Sequence, residues 1–228
     1  MLLDALRLRL ALLRKSLPDP IRQYLIAVRD TNLSARISSS RLVVLDTETT
    51  GLDFKRDNII EIGAVAVQNR EIIIADSFEC IVRSEHAGSD ESIGIHGLRP
   101  SDVQKGEELS DVMLPLLEYL RGDVVVGHHI SFDRKILSFN LKRYFPVQIY
   151  NRCIDTARMA VRLEHPNKNP EEINWKEYSL DALCDRYNIR RTDRHTAAGD
   201  AYITAQLFLK LLSRIDEKQT MTVASLAF

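Results

Sequence analysis

The chain has 228 residues, of which 45% are hydrophobic and 28% charged, and its formal net charge is −1. This composition is that of an ordinary globular protein of one or two domains, and it excludes a disordered or fibrous chain. A net charge near zero gives no whole-chain basic signature of nucleic-acid binding. The three cysteines are far apart and form no CxxC pair, which predicts ordinary thiols in a reducing cytoplasm.

The first 41 residues differ in charge from the rest of the chain. They contain eight Arg or Lys residues against three Asp, a net charge of +5, which leaves −6 for the remaining residues. Leucines recur there at a 3-4-3-4 spacing that predicts one apolar face of an amphipathic helix, ended by Pro18 and Pro20. These leucines are Leu3, Leu6, Leu10, Leu13 and Leu17. A second short helical pattern and a serine linker at 38–40 follow.

Residues 1–40 have three interpretations. The first is a helical extension packed on the main domain, the second a docking element for a protein such as a polymerase, or a short coiled coil, and the third an interfacial membrane helix. Charges inside the leucine-rich start argue against a signal peptide, and no apolar run approaches the roughly 18 residues of a membrane span. The predicted organisation is therefore a basic extension and linker at 1–40, a main domain at 41–216 and a tail at 217–228.

Downstream, the hydrophobic pattern predicts an α/β fold, a mixed five-stranded sheet flanked by helices with the N-terminal helical extension beside it. The predicted strands are residues 41–46, 59–67, 71–82, 124–126 and 149–155. The predicted helices are residues 109–120, 132–144, 156–163, 180–187 and 197–212. A polar loop at 164–177 is long for a connection between helices, which is typical of functional loops.

Two carboxylates follow the first buried strand directly. Asp46 and Glu48 end an uninterrupted apolar run and are followed by a Thr-Thr-Gly turn. Residues two apart in a strand point to the same face, so both side chains are expected at one place. Their pKa values are then raised and coupled unless a cation lies between them. A solvated strand end would show the same Asp-x-Glu pair, but the apolar lead-in favours a site.

Two further acids fall at predicted helix starts. Asp133 follows the fourth strand, and Ser131 is predicted to cap the next helix, so that Asp133 lies in a first turn whose dipole favours an ionised carboxylate. Asp200 lies early in the last long helix, for which Thr196 is the predicted N-cap. Because five residues on a helix are about 140° out of phase, His195 is predicted on the preceding loop as a mobile base beside Asp200.

In chain order these residues resemble the DEDDh exonuclease family. The motifs are Asp46-x-Glu48, His128-x-x-x-Phe132-Asp133 and His195-x-x-x-x-Asp200, with supporting similarity at residues 59–65, 95–98 and 179–184. The histidine five residues before the last aspartate indicates the DEDDh branch. Within it, the chain most resembles the proofreading epsilon subunits of bacterial DNA polymerase III. The resemblance covers about residues 41–212, and it departs at His129, where the family often has Asn.

The resemblance implies an RNase H-like fold and 3′→5′ removal of nucleoside monophosphates from single-stranded DNA. It implies two divalent ions, Mg²⁺ or Mn²⁺, held by the oxygen ligands Asp46, Glu48, Asp133 and Asp200. By family analogy, Asp46 bridges both ions, and Glu48 and Asp200 hold the ion on the nucleophile side. Asp133 orients the other ion, and His195 takes the proton from the attacking water.

Substrate contacts are also implied by the resemblance. Family positions that cradle the terminal nucleotide fall here on Thr47, Thr49, Glu91, His96 and Phe132. Phe132 is predicted either to stack on a base or to anchor its helix in the core. Arg190, Arg191 and Arg194 flank His195, and they are candidates to hold phosphates or to form a solvated charged run.

Two function classes remain open from the sequence. The first is an active exonuclease on DNA 3′ ends, serving proofreading, repair or DNA turnover, with an RNA exonuclease similar to RNase T or oligoribonuclease as the alternative. The second is an exonuclease-fold protein that mainly binds, such as a polymerase accessory subunit. The five intact catalytic-type residues favour the enzyme. Two bound divalent ions would change the charge of residues 42–228 from −6 to about −2, so the cleft would attract phosphate.

Overall fold

A computed structural model describes residues 2–89, 94 and 97–227 of the chain. Its centre is a five-stranded mixed sheet in the order β3-β2-β1-β4-β5. The strands are β1 (Leu42–Thr49), β2 (Ile59–Gln68), β3 (Glu71–Ile81), β4 (Val124–Gly127) and β5 (Cys153–Asp155). The first three form an antiparallel meander, and β4 and β5 run parallel to β1. The predicted mixed five-stranded sheet is confirmed.

Helices cover both faces of this sheet. They are α1 (Leu2–Leu12), α2 (Asp19–Arg29), α3 (Pro100–Val103), α4 (Leu109–Leu120), α5 (Ser131–Tyr144), α6 (Thr156–Glu164), α7 (Leu180–Arg186), α8 (Ala197–Ile215) and α9 (Val223–Leu226). Successive residues of β1 alternate between two cores. Val43 and Leu45 face α2, α4 and α5, whereas Leu42 and Val44 face α6, α7 and α8. The buried β1 is therefore held from both sides, which fixes the direction of the residues at its end.

The central elements lie close to their predicted positions. The predicted hairpin between β2 and β3 turns at Asn69 and Arg70, whose φ values of 52° and 63° suit a tight two-residue turn. Two other predictions differ from the structure. The fifth strand begins at Cys153 and not at residue 149, because Tyr150 donates its amide hydrogen to the Tyr24 hydroxyl and does not join the sheet. Helix α5 begins at Ser131 without a side-chain cap, so the predicted serine cap is wrong.

The leucine face of α1 is turned away from the core. Leu3, Leu6, Leu10 and Leu13 are 54–76% exposed, whereas Leu8, Ala11 and Leu17 are buried. The 3-4-3 spacing was thus a true helical face, but its first four leucines lie on the solvent side. Asp4 on the same helix accepts from Arg134 Nη2 at 3.0 Å and so ties α1 to α5. Within the described part of the chain, no helix is long and apolar enough to cross a membrane.

Helix α2 is buried in the main core. Pro18 and Pro20 lie at its start, so they begin α2, while α1 already ends at Leu12. Ile21, Tyr24 and Leu25 are at most 3% exposed, and the Tyr24 hydroxyl donates to Asn151 Oδ1 at 2.6 Å. The serine linker forms a single 3₁₀ turn at Ile37–Ser39.

The segment just before β1 pairs with the segment after α8. The amide of Val223 donates to the carbonyl of Ala35, and the amide of Ala224 donates to the carbonyl of Leu33, both at about 3 Å. The amide of Ile37 donates in turn to the carbonyl of Met221. The residues before β1 and the residues after α8 therefore form one hydrogen-bonded unit.

Candidate active site

Strand β1 delivers the first two carboxylates. Asp46 and Glu48 are two residues apart near the end of β1, and their side chains share one face, as predicted. In the antiparallel register Asp46 lies opposite Gly63 of β2, and Glu48 lies opposite Glu61. Both side chains are partly exposed, whereas the four residues before them are buried. The apolar half of β1 thus anchors the strand, and its polar end opens into a cleft.

A close backbone contact brings the third carboxylate. A Cβ on Gly63 would lie 2.2 Å from the carbonyl carbon of Ala197, so only glycine lets the start of α8 approach β2 this closely. Glu61 strengthens the contact, because its Oε2 accepts the amide hydrogen of Ala197 at 2.8 Å. The hydroxyl of Thr196 accepts from the amide of Gly199 at 3.0 Å, which confirms the predicted N-cap. Asp200, 4% exposed, then points at the end of β1.

The fourth carboxylate comes from the first turn of α5. Asp133 is 6% exposed, and its Oδ1 accepts two hydrogen bonds from Thr47, at 3.0 Å from the amide and 2.7 Å from the hydroxyl. Thr47 lies between Asp46 and Glu48 and points to the other side of the strand. Its contacts therefore fix the start of α5 against β1.

Three of the four carboxylates converge on one point. Ligand oxygens of Asp46, Glu48 and Asp200 all lie within 4.8 Å of one another. Burial raises the pKa of Glu48 to about 7, with a further contribution from the charge of Asp200. Burial also raises the pKa of Asp133 to about 7, against the effect of its Thr47 hydrogen bonds. The pKa of Asp46 is raised by burial and by the charges of the other three acids.

One arginine partly offsets this negative charge. The Arg194 guanidinium contacts Asp200 Oδ2 and also donates from Nε to Asp181 Oδ1 at 2.8 Å. Arg191 pairs with Asp185 at 2.9 Å. Two of the three arginines predicted as phosphate ligands are thus engaged with acids of the protein itself. Even with Arg194 in contact, the pKa of Asp200 is raised, because burial outweighs the arginine.

His195 lies on the loop just before α8, as predicted. Its backbone has a φ of 66°, in the left-handed region, and its amide donates to Asp200 Oδ1 at 3.3 Å. Its Nδ1 lies 3.3 Å from Arg194 Nη1. Because a guanidinium only donates, Nδ1 accepts in this contact, and a neutral ring then carries its proton on Nε2. To accept a proton at Nε2, the ring must leave Arg194 and carry its own proton on Nδ1 instead.

The donor set fits a hard divalent cation. It is made of carboxylate oxygens only, which suit Mg²⁺ or Mn²⁺ and disfavour a structural zinc site. The raised pKa values show that the protein alone does not stabilise these groups as anions. A divalent charge held by Asp46, Glu48 and Asp200 would do so, with Asp133 beside them.

The comparison with protein families covers most of the chain. The exonuclease family model matches residues 43–208. The chain belongs to the exonuclease family. The matched range runs from β1 into α8 and contains all five predicted catalytic residues, so the resemblance seen in the sequence motifs is confirmed.

Relatives of this exonuclease domain are replication proteins. DNA polymerase III subunit epsilon of Salmonella typhimurium is 32% identical over 183 residues, which cover 75% of this chain and 71% of the relative. The PolC-type DNA polymerase III of Thermotoga petrophila is 28% identical over 197 residues, 84% of this chain and 14% of the polymerase. The chain thus spans about one seventh of the length of that PolC-type relative.

Solved exonuclease structures share the fold. Exonuclease I of Escherichia coli, in complex with a dT13 oligonucleotide, superposes with a TM-score of 0.64 at 18% identity, over 79% of this chain and 42% of its own. Exonuclease X, in complex with 5′-overhanging duplex DNA, superposes with a TM-score of 0.60 at 27% identity, over 82% of this chain and 97% of its own. The RNase H-like α/β fold is therefore confirmed.

The residues predicted to contact substrate have different surroundings. The Thr47 hydroxyl is directed at Asp133, so in this arrangement it positions a carboxylate. The Thr49 hydroxyl donates to the Gly51 carbonyl at 2.7 Å and shapes the turn after β1. Phe132 is partly buried against the core beside Asp133, and therefore borders the site from α5. The other two predicted contacts, Glu91 and His96, lie outside the described residues.

Two residues of the exonuclease site carry roles that the sequence motifs did not give. Glu61 holds the start of α8, and Arg194 is the cation on Asp200. Glu61 had a local signal, because it lies two residues before Gly63 inside an otherwise apolar strand. Arg194 had none, because it lies on a loop and its second partner, Asp181, is 13 residues away in α7.

Proposed function

We propose that the protein is a metal-dependent 3′→5′ exonuclease that releases nucleoside monophosphates from the 3′ end of single-stranded DNA. The convergence of Asp46, Glu48 and Asp200 within 4.8 Å, with Asp133 beside them, carries this proposal. Membership of the exonuclease family and similarity to polymerase III epsilon support it. Proofreading, repair and DNA turnover all use this reaction.

Two divalent cations, Mg²⁺ or Mn²⁺, would supply the Lewis acidity that activates water and stabilises the leaving oxygen of a phosphodiester. The protein presents the ligands for them on β1, α5 and α8. Asp46, Glu48, Asp133 and Asp200 would hold the ions: Glu48 and Asp200 the one beside the attacking water, Asp133 the other, and Asp46 both. Thr47 keeps Asp133 aimed at β1 through two hydrogen bonds.

His195 moves the proton. It lies on a loop next to Asp200 and accepts the proton of the attacking water after leaving its Arg194 contact. Release of Arg194 also frees Asp200 Oδ2 to act as a metal ligand. General-base catalysis of this kind contributes about 10²–10⁴-fold to a rate.

The test is a degradation assay with 5′-labelled single-stranded DNA and RNA of one sequence. Stepwise shortening with Mg²⁺ or Mn²⁺, and none with EDTA, is the expected result. Asp46→Ala should leave no measurable activity, whereas His195→Ala should keep a residual rate roughly 10²–10⁴-fold below that of the unchanged protein. Absence of cleavage of both strands with every metal, or unchanged rates in both variants, would contradict the proposal.

The RNA arm of the assay decides the alternative substrate. The similarity to polymerase III epsilon and PolC-type polymerases favours DNA. A kcat/KM at least tenfold higher on RNA than on DNA would instead identify an RNA exonuclease of the RNase T or oligoribonuclease type.

A second function, docking to a DNA polymerase, is favoured by the exposed face of α1. Four leucines there are more than half exposed, and Arg7, Arg9 and Arg14 lie among them. Leu6→Glu combined with Leu10→Glu should abolish co-purification with a polymerase subunit while leaving nuclease activity intact. Leu8 is buried, so Leu8→Glu should destabilise the fold and serves as the contrasting variant. Unchanged polymerase binding in the Leu6/Leu10 variant would exclude this face.

A further inference from the structure

A groove of about 410 Å³ begins beside the active site and runs along α5 to α1. Ser131, Lys135, Ser138 and Lys142 line it at spacings of three and four residues, which place them on one face of α5. Ser131 lies in the same first turn of α5 as Asp133, so this end of the groove adjoins the end of α5 that carries that carboxylate, although the carboxylates themselves do not line the groove. From Ser131 to Lys142 the helix rises roughly 16 Å.

Aromatic rings form the second feature of the groove. Phe54, from the loop after β1, meets Phe139 of α5 edge to face, with ring centroids 6.1 Å apart. Both rings are partly exposed. Lys55 Nζ lies 5.8 Å from the Phe54 ring centroid. Exposed aromatic faces flanked by cations are the usual platform for bases of a single strand.

The charge of the groove is positive. Arg7, Arg134, Lys135 and Lys142 line it against a single acid, Asp4. Asp4 is already paired with Arg134 at 3.0 Å and lies 3.8 Å from Arg7. Among the described residues, neither Lys135 nor Lys142 forms an ion pair, and both are exposed. The groove therefore offers unneutralised cations at successive positions along α5.

We propose that this groove binds the segment of nucleic acid upstream of the 3′ end that is being hydrolysed. The inference rests on the proposed exonuclease function. It adds a binding surface for the nucleic-acid strand, and this surface includes Arg7 of α1, outside the range matched by the exonuclease family. Phosphates follow one another every 3.4 Å along a stacked strand, so roughly 16 Å spans several nucleotides. Lys135 and Lys142 contact these phosphates, and Phe54 stacks on a base.

Substrate length provides the test. For the unchanged protein, KM should fall as oligothymidylate is lengthened from two to about eight nucleotides and then level off. In Lys135→Glu combined with Lys142→Glu, kcat/KM on a 20-mer should fall about 10–100-fold. The slope of log KM against log salt should decrease by about 1.4, because each lost phosphate contact on a single strand contributes about 0.7. Phe54→Ala should lower kcat/KM on the 20-mer about 5–100-fold.

A dinucleotide is the matched substrate, because it cannot extend to Lys142. The loss in the double variant should be confined to the longer substrates. Lys218→Glu is the matched control: Lys218 is exposed and follows Asp216, which pairs with Arg70 at the opposite end of the sheet. It should behave as the unchanged protein on both substrates.

The outcomes separate the two proposals. If the unchanged protein cleaves neither dinucleotide nor 20-mer, the exonuclease function itself fails. If it cleaves both and the double variant matches Lys218→Glu on the 20-mer, the groove proposal is overturned while the exonuclease stands. An equal loss on dinucleotide and 20-mer also overturns the groove proposal, because it would show a disturbed active site.

Discussion

At the start of β1, Arg41 lies between Asp76 and Asp123, whereas at its end four carboxylates share one arginine, Arg194. Arg41 makes a two-pronged contact with Asp76, at 2.8 and 2.9 Å, and also donates to Asp123. This contact lowers the pKa of Asp76 below its usual value. At the other end of β1, the pKa values of the carboxylates are raised.

The comparison distinguishes acids that are paired with arginines of the protein from acids that a bound cation would stabilise. Near Arg41, the hairpin residue Arg70 pairs with Asp216, whose side chain is 1% exposed, at 3.0 Å. Arg41 stabilises Asp76 as an anion, although burial still raises the pKa of Asp123. Among the described residues at the active-site end the acids outnumber the cations, so a positive charge from outside the protein would stabilise them.

The largest effect is expected where the charges are balanced. Asp216→Ala removes the partner of Arg70 and the acceptor for the amides of Thr220 and Met221. Breaking such a buried pair should lower the free energy of unfolding by about 3 kcal/mol. Calorimetry should show a melting temperature roughly 6–12 °C lower. The exposed neighbour Glu217 is the control, and Glu217→Ala should change the melting temperature little. A loss of less than about 1 kcal/mol in the free energy of unfolding of Asp216→Ala would contradict the comparison.

Metal addition should act only at the active-site end. Millimolar Mg²⁺ or Mn²⁺ at pH 8 should stabilise the protein by about 2.7 kcal/mol at 100 times its Kd. The pKa values of Glu48 and Asp133, about 7, lie above the ordinary carboxyl value near 4, so folding takes up protons between these limits. The metal-free protein therefore loses stability as the pH rises from about 4 through 7.

The pH dependence of this metal effect is the check. At pH 5 protons compete with the metal for the carboxylates, so thermal denaturation with and without Mg²⁺ should differ less than at pH 8. Asp216→Ala should retain the full gain, because that residue is remote from the ligands. An equal or larger gain at pH 5 would contradict the assignment of the raised carboxylates to the metal site.

The two ends of β1 also differ in what positions their acids. Arginines do so at the start of β1, whereas a close backbone contact at Gly63 does so at the end. Gly63→Ala should push α8 away and destabilise the fold by about 1–3 kcal/mol. It should also lower exonuclease activity by misplacing Asp200. Ile74→Ala, at an exposed side chain of β3, is the control; equal activities of the two variants would show that the contact is unimportant.

The smallest effect has the opposite sign. Asp46→Asn removes one of the mutually repelling carboxylates and should raise the free energy of unfolding by about 1 kcal/mol at pH 8 in EDTA. The same substitution at Asp76, whose pKa Arg41 holds below its usual value, should destabilise the protein. Chemical denaturation of both variants measures the signs, and destabilisation by Asp46→Asn would mean that the site is electrostatically satisfied without metal.

The positions of the candidate carboxylates could be predicted because local rules govern them. A strand places Asp46 and Glu48 on one face, and the hydroxyl of Thr196 caps α8 just before Asp200. These geometries follow from residues a few positions apart. The same rules gave the bounds of the central strands and of helices α4 and α8 to within a few residues.

What the sequence could not give depends on contacts between distant elements. The spacing of Leu3, Leu6 and Leu10 predicts a helical face, but only the fold decides whether that face meets core or solvent. Arg194 needed the positions of Asp181 and Asp200 on two different helices before its role could be assigned. Ser131 had the residue type of a cap, yet its helix begins without one.

The burial of α2 shows that the hydrophobic core begins earlier in the chain than the range matched by the exonuclease family. The family match begins at residue 43, but Tyr24 and Leu25 lie inside the same core as Val43 and Leu45. A fragment cut at the family boundary would therefore expose part of this core and leave Asn151 Oδ1 and the Tyr150 amide without their Tyr24 partner. The hydrophobic core thus includes residues that precede the range by which the family is recognised.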